Sequence, residues 1–228
     1  REFKVEINQG APQVNYKETL TKPVIHRETY KKQSGGKGKF ADIQFELMPA
    51  AEGQEEAMVF KDEIKGGSIP KEFIPAVKKG FEESMKNGVL AGFEIEQMQV
   101  RLFDGSFHAV DSDSLSFELA ARMGFKAAGR EAGAKLLEPV MAVEVVCPDE
   151  STGPVIGDMN RRRGMPKGQE ARAGGVVIKA DVPLSELFGY VTDLRTITSG
   201  RGSATLTFSH YAPVPENIAQ EVIKERSK

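Results

Sequence analysis

A chain of 228 residues, 39% hydrophobic and 28% charged, has room for one large domain or two smaller ones and falls outside collagen-like, disulfide-rich and disordered compositions. Its net charge of −2 argues against a protein that coats nucleic acid non-specifically. It leaves room for small basic patches, because a surface charge reaches only about 8 Å at physiological salt. No window approaches the roughly 18 apolar residues of a membrane helix, and Arg1-Glu2-Phe3-Lys4 starts no signal peptide. The opening on Arg1 instead of Met points to a piece of a longer protein.

In chain order, loose apolar–polar alternation around Val14–Lys17, Val24–Arg27 and Ala41–Leu47 predicts half-buried strands. A helix is expected from Pro70 to about Asn87, with Phe73, Val77, Phe81 and Met85 on one stripe and Gly88 as its stop. Phe93 to Phe103 reads as a strand ending in a glycine turn, Asp104-Gly105-Ser106. A second helix follows the run of N-cap residues Asp111-Ser112-Asp113-Ser114 and carries Leu115, Leu119 and Met123.

The second half is more regular. A strand over Pro139–Cys147 precedes a short helix capped by Ser151 or Thr152, with Pro154 in its first turn and Gly164 at its end. Two strands then flank Ala173-Gly174-Gly175, a helix spans Leu184 to about Ile197, and Ala204, Leu206 and Phe208 alternate in a last strand. That order, β-α-β-β-α-β, is ferredoxin-like. Pro215 to about Arg226 reads as a short amphipathic helix using Ile218, Val222 and Ile223, and the boundary between the two units is expected near Gly133–Glu138.

Cys147 is the only cysteine, so no internal disulfide can form and a reducing, cytoplasmic setting is expected. His26, His108 and His210 lack the spacing of metal ligands, and no metal or catalytic site is expected. Three segments stand out. Gln33-Ser34-Gly35-Gly36-Lys37-Gly38-Lys39-Phe40 places two lysines among glycines, which suits either a hairpin tip or close approach to a phosphate backbone. It is no P-loop, because Lys37 is followed by Gly38 and then a strand.

The second segment, Asp104-Gly105-Ser106-Phe107-His108-Ala109-Val110-Asp111-Ser112, holds a loop histidine. Such a ring can contact RNA, serve as a base oriented by Asp111, or be merely solvated. The third, Gly157-Asp158-Met159-Asn160-Arg161-Arg162-Arg163-Gly164-Met165 with Lys167 and Arg172 nearby, has more positive charge than a helix C-terminus requires. The strands of this half lack the aromatic signature of RNA-recognition domains, so any RNA contact there must come from loops and helices.

At these segments the chain resembles the fourth and fifth domains of elongation factor G, a translational GTPase. The stretches that carry the likeness include Gln33-Ser34-Gly35-Gly36-Lys37-Gly38, Gly66-Gly67-Ser68-Ile69-Pro70, Gly105-Ser106-Phe107-His108, Leu137-Glu138-Pro139, Arg161-Arg162-Arg163-Gly164 and Val182 to Tyr190, in family order. The resemblance implies an α+β chain of two domains. Residues 1–135, completed by a helix over 214–228, would form the ribosomal-protein-type β-α-β fourth domain with its left-handed crossover. Residues 136–213 would form the ferredoxin-like fifth.

It further implies a ribosome partner, with a tip of Gln33 to Lys39 and Gly105 to Ser112 reaching transfer and messenger RNA in the decoding region. Arg161, Arg162, Arg163 and Lys167 would dock on the large subunit. GTP and Mg²⁺ would belong to a domain of the longer protein that is not in this chain, and a monomer without membrane contact is expected. Two departures mark the tip: Lys39-Phe40-Ala41 replaces the family's usual Gln-Tyr-Gly, and Ala109 follows the histidine. Relatives acting in ribosome recycling or in tetracycline resistance share the architecture, so these roles, and a stand-alone RNA-binding module, are the alternatives.

Overall fold

The computed structural model describes residues 14–228; the first 13 positions of the interval 1–135 lie outside the described residues. Two compact units emerge, one of Tyr16–Leu137 with Pro213–Lys228 and one built on Glu138–Ala212.

The first unit runs β1 (Lys17–Thr19), β2 (Val24–Lys32), β3 (Lys39–Pro49), β4 (Met58–Asp62), α1 (Ile74–Met85), β5 (Met98–Ser106) and α2 (Ser114–Glu131) into the start of β6 (Lys135–Cys147). Its main sheet has the order β2-β3-β5-β4. Neighbours are antiparallel except β4 and β5, which run parallel because α1 forms the crossover between them. The central strand β3 buries Ala41, Ile43, Phe45 and Leu47 completely. Phe45 meets Phe81 of α1 edge-on at 4.8 Å, and Phe73 stacks on Phe117 of α2 at 5.1 Å. Each fully buried phenyl ring contributes roughly 1.5–3 kcal/mol.

Three expectations change here. The helix expected from Pro70 begins as a single 3₁₀ turn, Lys71–Phe73, before α1 starts at Ile74. Pro75 sets that start: it has no N–H to give, and deeper in a helix its ring would strike the carbonyl four residues back. The strand expected from Phe93 begins only at Met98, because the backbone of Val89, Leu90, Ala91 and Phe93 wraps around the Glu18 carboxylate instead. Finally, β4 is a strand that the sequence reading leaves out.

The second unit adds α3 (Thr152–Arg161), β7 (Met165–Arg172), β8 (Gly175–Pro183), α4 (Tyr190–Ile197) and β9 (Ser203–Pro213) to the remainder of β6. β8 lies between β7 and β6, and β9 also pairs with β6. This is the ferredoxin-like arrangement, and the α+β class read from the sequence stands. Val143, Val145, Val155, Met159, Ile178, Tyr190 and Leu194 fill its core. The helix expected over Leu184–Ile197 is split, since Gly189 takes φ 74° and α4 begins after it. Leu187, Phe188, Val191 and Leu194 would form the apolar stripe of an unbroken helix; Phe188 and Val191 are instead 37% and 46% exposed, and Tyr190 is buried.

The last helix, α5 (Glu216–Arg226), belongs to the first unit. Its Ile218, Ala219 and Val222 cluster with Tyr16, Phe93, Leu136 and Val214. Among the described residues no helix is long and apolar enough to cross a membrane.

Candidate functional site

The glycine-rich segment is the bend between β2 and β3, where Gly35 and Gly36 take φ 43° and 142° and Gln33 to Lys37 are exposed. The His108 segment joins β5 to α2. The structure brings these two loops together. The His108 ring stacks on Phe40, with centroids 3.8 Å apart and planes 6° from parallel. Ser112 ties the pair: its Oγ donates to the Phe40 carbonyl at 2.8 Å and accepts from the His108 N–H at 2.9 Å. The Phe40 N–H donates to the Asp111 carbonyl at 3.0 Å, closing the link from the other side.

Phe107, 42% exposed, and Val110, 69% exposed, stand out from this loop beside His108. One face of the imidazole is covered by Phe40, and no hydrogen bond to either ring nitrogen is found among the described residues. The acid–base pair of His108 and Asp111 is therefore not assembled: Asp111 engages through its backbone, and nothing orients a catalytic tautomer. No group of three His, Cys, Asp or Glu able to hold a metal ion occurs among the described residues.

Of the two lysines expected to meet phosphates, the fold commits one. Lys39 is paired with Asp113, whose carboxylate also caps α2 by accepting from the Ser116 N–H at 2.8 Å. Burial alone would raise the pKa of Asp113, but hydrogen bonds from Lys39 and Ser116 outweigh it and hold the pKa at about 2. Lys39 thus stitches β3 to α2, and Lys37 is the lysine of the loop with no ion pair or hydrogen bond among the described residues.

Ser106 is also drawn inward. The expected turn Asp104-Gly105-Ser106 is the end of β5, with Gly105 opposite Ile43 and Ser106 opposite Asp42. A side chain at Gly105 would come within 2.3 Å of the Asp42 carbonyl and 2.6 Å of Ile69, so only glycine lets the strand continue here. Ser106 Oγ donates at 2.8 Å to the buried Asp42, which Arg27 grips with two nitrogens at 3.0 Å and Thr29 with one oxygen at 3.0 Å. Burial opposes ionisation of Asp42, yet these donors hold its pKa below the usual range. Ser106 belongs to this buried support and not to the exposed surface of the tip.

The arginine triplet at the end of α3 changes meaning in the same way. Arg162 is 7% exposed; it donates to Asp158 at 3.0 Å, to the Glu186 carbonyl at 2.6 Å and to Asp193, and its guanidinium lies 5.0 Å from the centre of the Tyr190 ring. Arg163, at φ 58°, forks onto the buried Glu138 at 2.7 and 3.0 Å and reaches Glu186 at 3.2 Å. The hydrogen bond to Glu138 raises the Arg163 pKa further. Both side chains are occupied in holding the second unit together, because a guanidinium fork satisfies carboxylates that the fold has buried. Arg161, paired with Asp158 at 2.5 Å but with its side chain 70% exposed, and Lys167, 3.4 Å from Asp181 and half exposed, are the cations of this group that face solvent.

Sequence reasoning missed Phe40 as the partner of His108 and Asp113 as the partner of Lys39. An aromatic residue directly after a glycine-rich loop was the available signal for the first. The second had only the N-cap run, which gives the role of Asp113 toward α2 and not toward Lys39.

Both units have counterparts among known proteins. The model of elongation factor G, domain IV, matches residues 12–133, and that of the elongation factor G C-terminus matches residues 135–222. The chain belongs to the elongation factor G family. It is 68% identical over 223 residues to an elongation factor G of Cytophaga hutchinsonii, covering 98% of this chain and 32% of that relative. The figure for an elongation factor G of Amoebophilus asiaticus is 62% over 225 residues, again 32% of its length. A crystal structure from Thermus thermophilus superposes with a TM-score of 0.84 at 39% identity, over 96% of this chain and 32% of that one. The chain thus spans about a third of the relatives it matches. The family's fourth domain falls on the unit carrying the tip, and its C-terminal domain on the unit carrying the arginine triplet.

Proposed function

We propose that this chain is the ribosome-binding C-terminal part of a translation elongation factor G that promotes GTP-dependent movement of transfer and messenger RNA. Its tip enters the decoding region. GTP and Mg²⁺ act in a nucleotide-binding domain elsewhere in the longer protein. The observation that carries the reading is the union of two loops through the Phe40–His108 stack and the hydrogen bonds of Ser112, which lies 72 residues beyond Phe40. That union presents Lys37, Phe107, Val110 and the free edge of His108 from one rigid support.

A partly apolar point with a few basic side chains suits steric and stacking contact with RNA better than chemistry, since it holds no oriented base or nucleophile. Its role would be to stabilise an intermediate in which transfer RNA has left its decoding contacts. The Arg161 and Lys167 side of the second unit supplies docking charge for the large subunit, with Arg162 and Arg163 as its scaffold.

The test is rapid kinetics on the full-length factor with His108→Ala and, separately, Phe40→Ala. Both should slow movement of transfer RNA about tenfold, equivalent to about 1.4 kcal/mol, while ribosome-stimulated GTP hydrolysis stays within twofold of normal. Phe40 contributes by holding the ring, so Phe40→Tyr, which keeps the stack, should restore most of the rate. Equal loss of both rates, or loss of neither, would remove the tip from this role.

A further inference from the structure

A second basic surface occurs in the first unit, apart from the tip loops. The α1 C-terminus, the loop Gly88–Gly92, α2 and α5 enclose a cleft of about 640 Å³. Arg122, Lys126 and Arg130 line it from α2 and Arg226 lines it from α5. The three on α2 recur every fourth residue, so they share one face of the helix and form a row about 12 Å long. The lining carboxylate, Glu83, is engaged by Lys86 at 3.4 Å.

These cations differ in how far the fold has committed them. Arg122 is paired with Glu118 at 2.9 Å. Arg226 donates its Nε to the Ala91 carbonyl at 3.1 Å and lies 4.4 Å from the Phe93 ring centre, with no carboxylate partner among the described residues. Lys126 and Arg130 are exposed and make no ion pair or hydrogen bond among the described residues. A net −2 chain therefore concentrates at least three unneutralised positive charges in one concavity.

We propose that this cleft binds the phosphodiester backbone of RNA, a second contact that rests on the ribosome-binding reading above. Its length favours an extended polyanion over a compact phosphate, because a row of about 12 Å can meet more than one phosphate of a strand. The cleft offers little for reading bases. The N–H groups of Val89, Leu90, Ala91 and Phe93 all point into the Glu18 carboxylate, and the Ala91 carbonyl is taken by Arg226. Recognition falls to flexible cationic side chains, so binding is independent of sequence and sensitive to salt. Guanidinium groups also favour phosphate through their planar fork.

The experiment measures fluorescence anisotropy of a labelled oligouridine of about 20 nucleotides with the whole chain across a salt series. Lys126→Glu/Arg130→Glu should weaken binding at least tenfold at low salt. The neutral pair Lys126→Gln/Arg130→Gln should lower the slope of log K against log salt by about 1.4, the loss of two single-strand phosphate contacts. Lys37→Gln at the tip is run beside them. Loss with the cleft variants supports the cleft, while the tip reading is judged separately by the His108→Ala kinetics. No loss with the cleft variants overturns the cleft and leaves the tip reading standing. Polyglutamate that competes as well as RNA, residue for residue, would also overturn the proposal in favour of an acidic protein partner.

Discussion

Glu18 lies in a short strand among ordinary residues, yet its side chain is fully buried and its carboxylate organises a whole loop. Oε1 accepts from the N–H groups of Val89 at 2.7 Å and Leu90 at 2.8 Å, and Oε2 from those of Ala91 and Phe93 at 3.0 Å each. Replacing it with alanine leaves four amide donors facing an apolar void. An orphaned buried donor costs about 1–3 kcal/mol, but releasing the carboxylate from its own desolvation offsets part of the sum, so Glu18→Ala should destabilise the first unit by about 3–5 kcal/mol. Glu18→Gln sharpens the argument. It preserves shape and one acceptor oxygen, but its NH₂ group must point at two N–H donors, and about 2–4 kcal/mol should still be lost.

The chain has no tryptophan, so far-UV circular dichroism in urea is the suitable global readout. With two units present, a single transition cannot be assumed. Amide hydrogen exchange at Val89, Leu90, Ala91 and Phe93 therefore decides the matter locally. All four should be protected in the native chain and exchange much faster in both variants. A Glu18→Gln chain that keeps their protection and stays within about 1 kcal/mol of native would refute the reasoning, because the acceptor pair would then be dispensable.

Two further outcomes follow from groups whose ionisation the fold has displaced. The Tyr190 hydroxyl is buried with no hydrogen-bond partner among the described residues, so Tyr190→Phe should stabilise the second unit by about 1 kcal/mol in urea denaturation, and a loss above about 1 kcal/mol would reveal a partner for that hydroxyl. Burial, with the Asp158 charge, pushes this phenol up to about 12. The unfolded chain then ionises first as pH rises past 10, and native stability should fall between pH 10 and 12 more steeply than in the Phe variant. At the acid end, Asp113 sits at about 2 against an ordinary 3.8, so its contribution is complete above pH 3.8 and disappears as pH falls through 2. Asp113→Asn keeps the helix cap but not the Lys39 pair; its deficit relative to native should be constant near neutrality and vanish in acid melts at pH 2.

What the sequence revealed and concealed divides along sequence distance. The cap run Asp111-Ser112-Asp113-Ser114 announces the start of α2, and Asp113 does accept from Ser116, three residues on. Alternation exposes β3 and β9, and the order of strands and helices in the second half suffices for its fold class. By contrast, β4 is a brief Met58-Val59-Phe60-Lys61-Asp62 run without alternation, and only its parallel pairing with β5 makes it a strand. Asp104-Gly105-Ser106 has the composition of a turn, and it is the space requirement of Asp42 and Ile69 that turns the glycine into a strand residue. The loop that holds His108 was legible from its composition. Its stacking on Phe40 was not, because no local rule links residues so far apart.

Charge is where that distance matters most for function. Read along the chain, Lys37-Gly38-Lys39 and Arg161-Arg162-Arg163 are basic clusters, but a cluster in sequence is a patch only if the fold leaves it unpaired. Arg163 finds Glu138 25 residues away, a carboxylate whose burial would otherwise be costly, and the buried Arg162 guanidinium finds the buried Asp158 and, 31 residues away, the half-exposed Asp193. Lys39 is similarly taken by Asp113 across 74 positions. The cations that these segments and the cleft leave unpaired among the described residues are therefore dispersed, Lys37 at the tip and Lys126 and Arg130 along α2, while Arg161 beside α3 is exposed but paired with Asp158 at 2.5 Å. Each exposed cation contributes one modest, salt-screened contact, so affinity for RNA must come from several sites engaged at once. Removing any single one should lower affinity little, whereas breaking the Glu138–Arg163 pair should unsettle the second unit without touching its exposed charge.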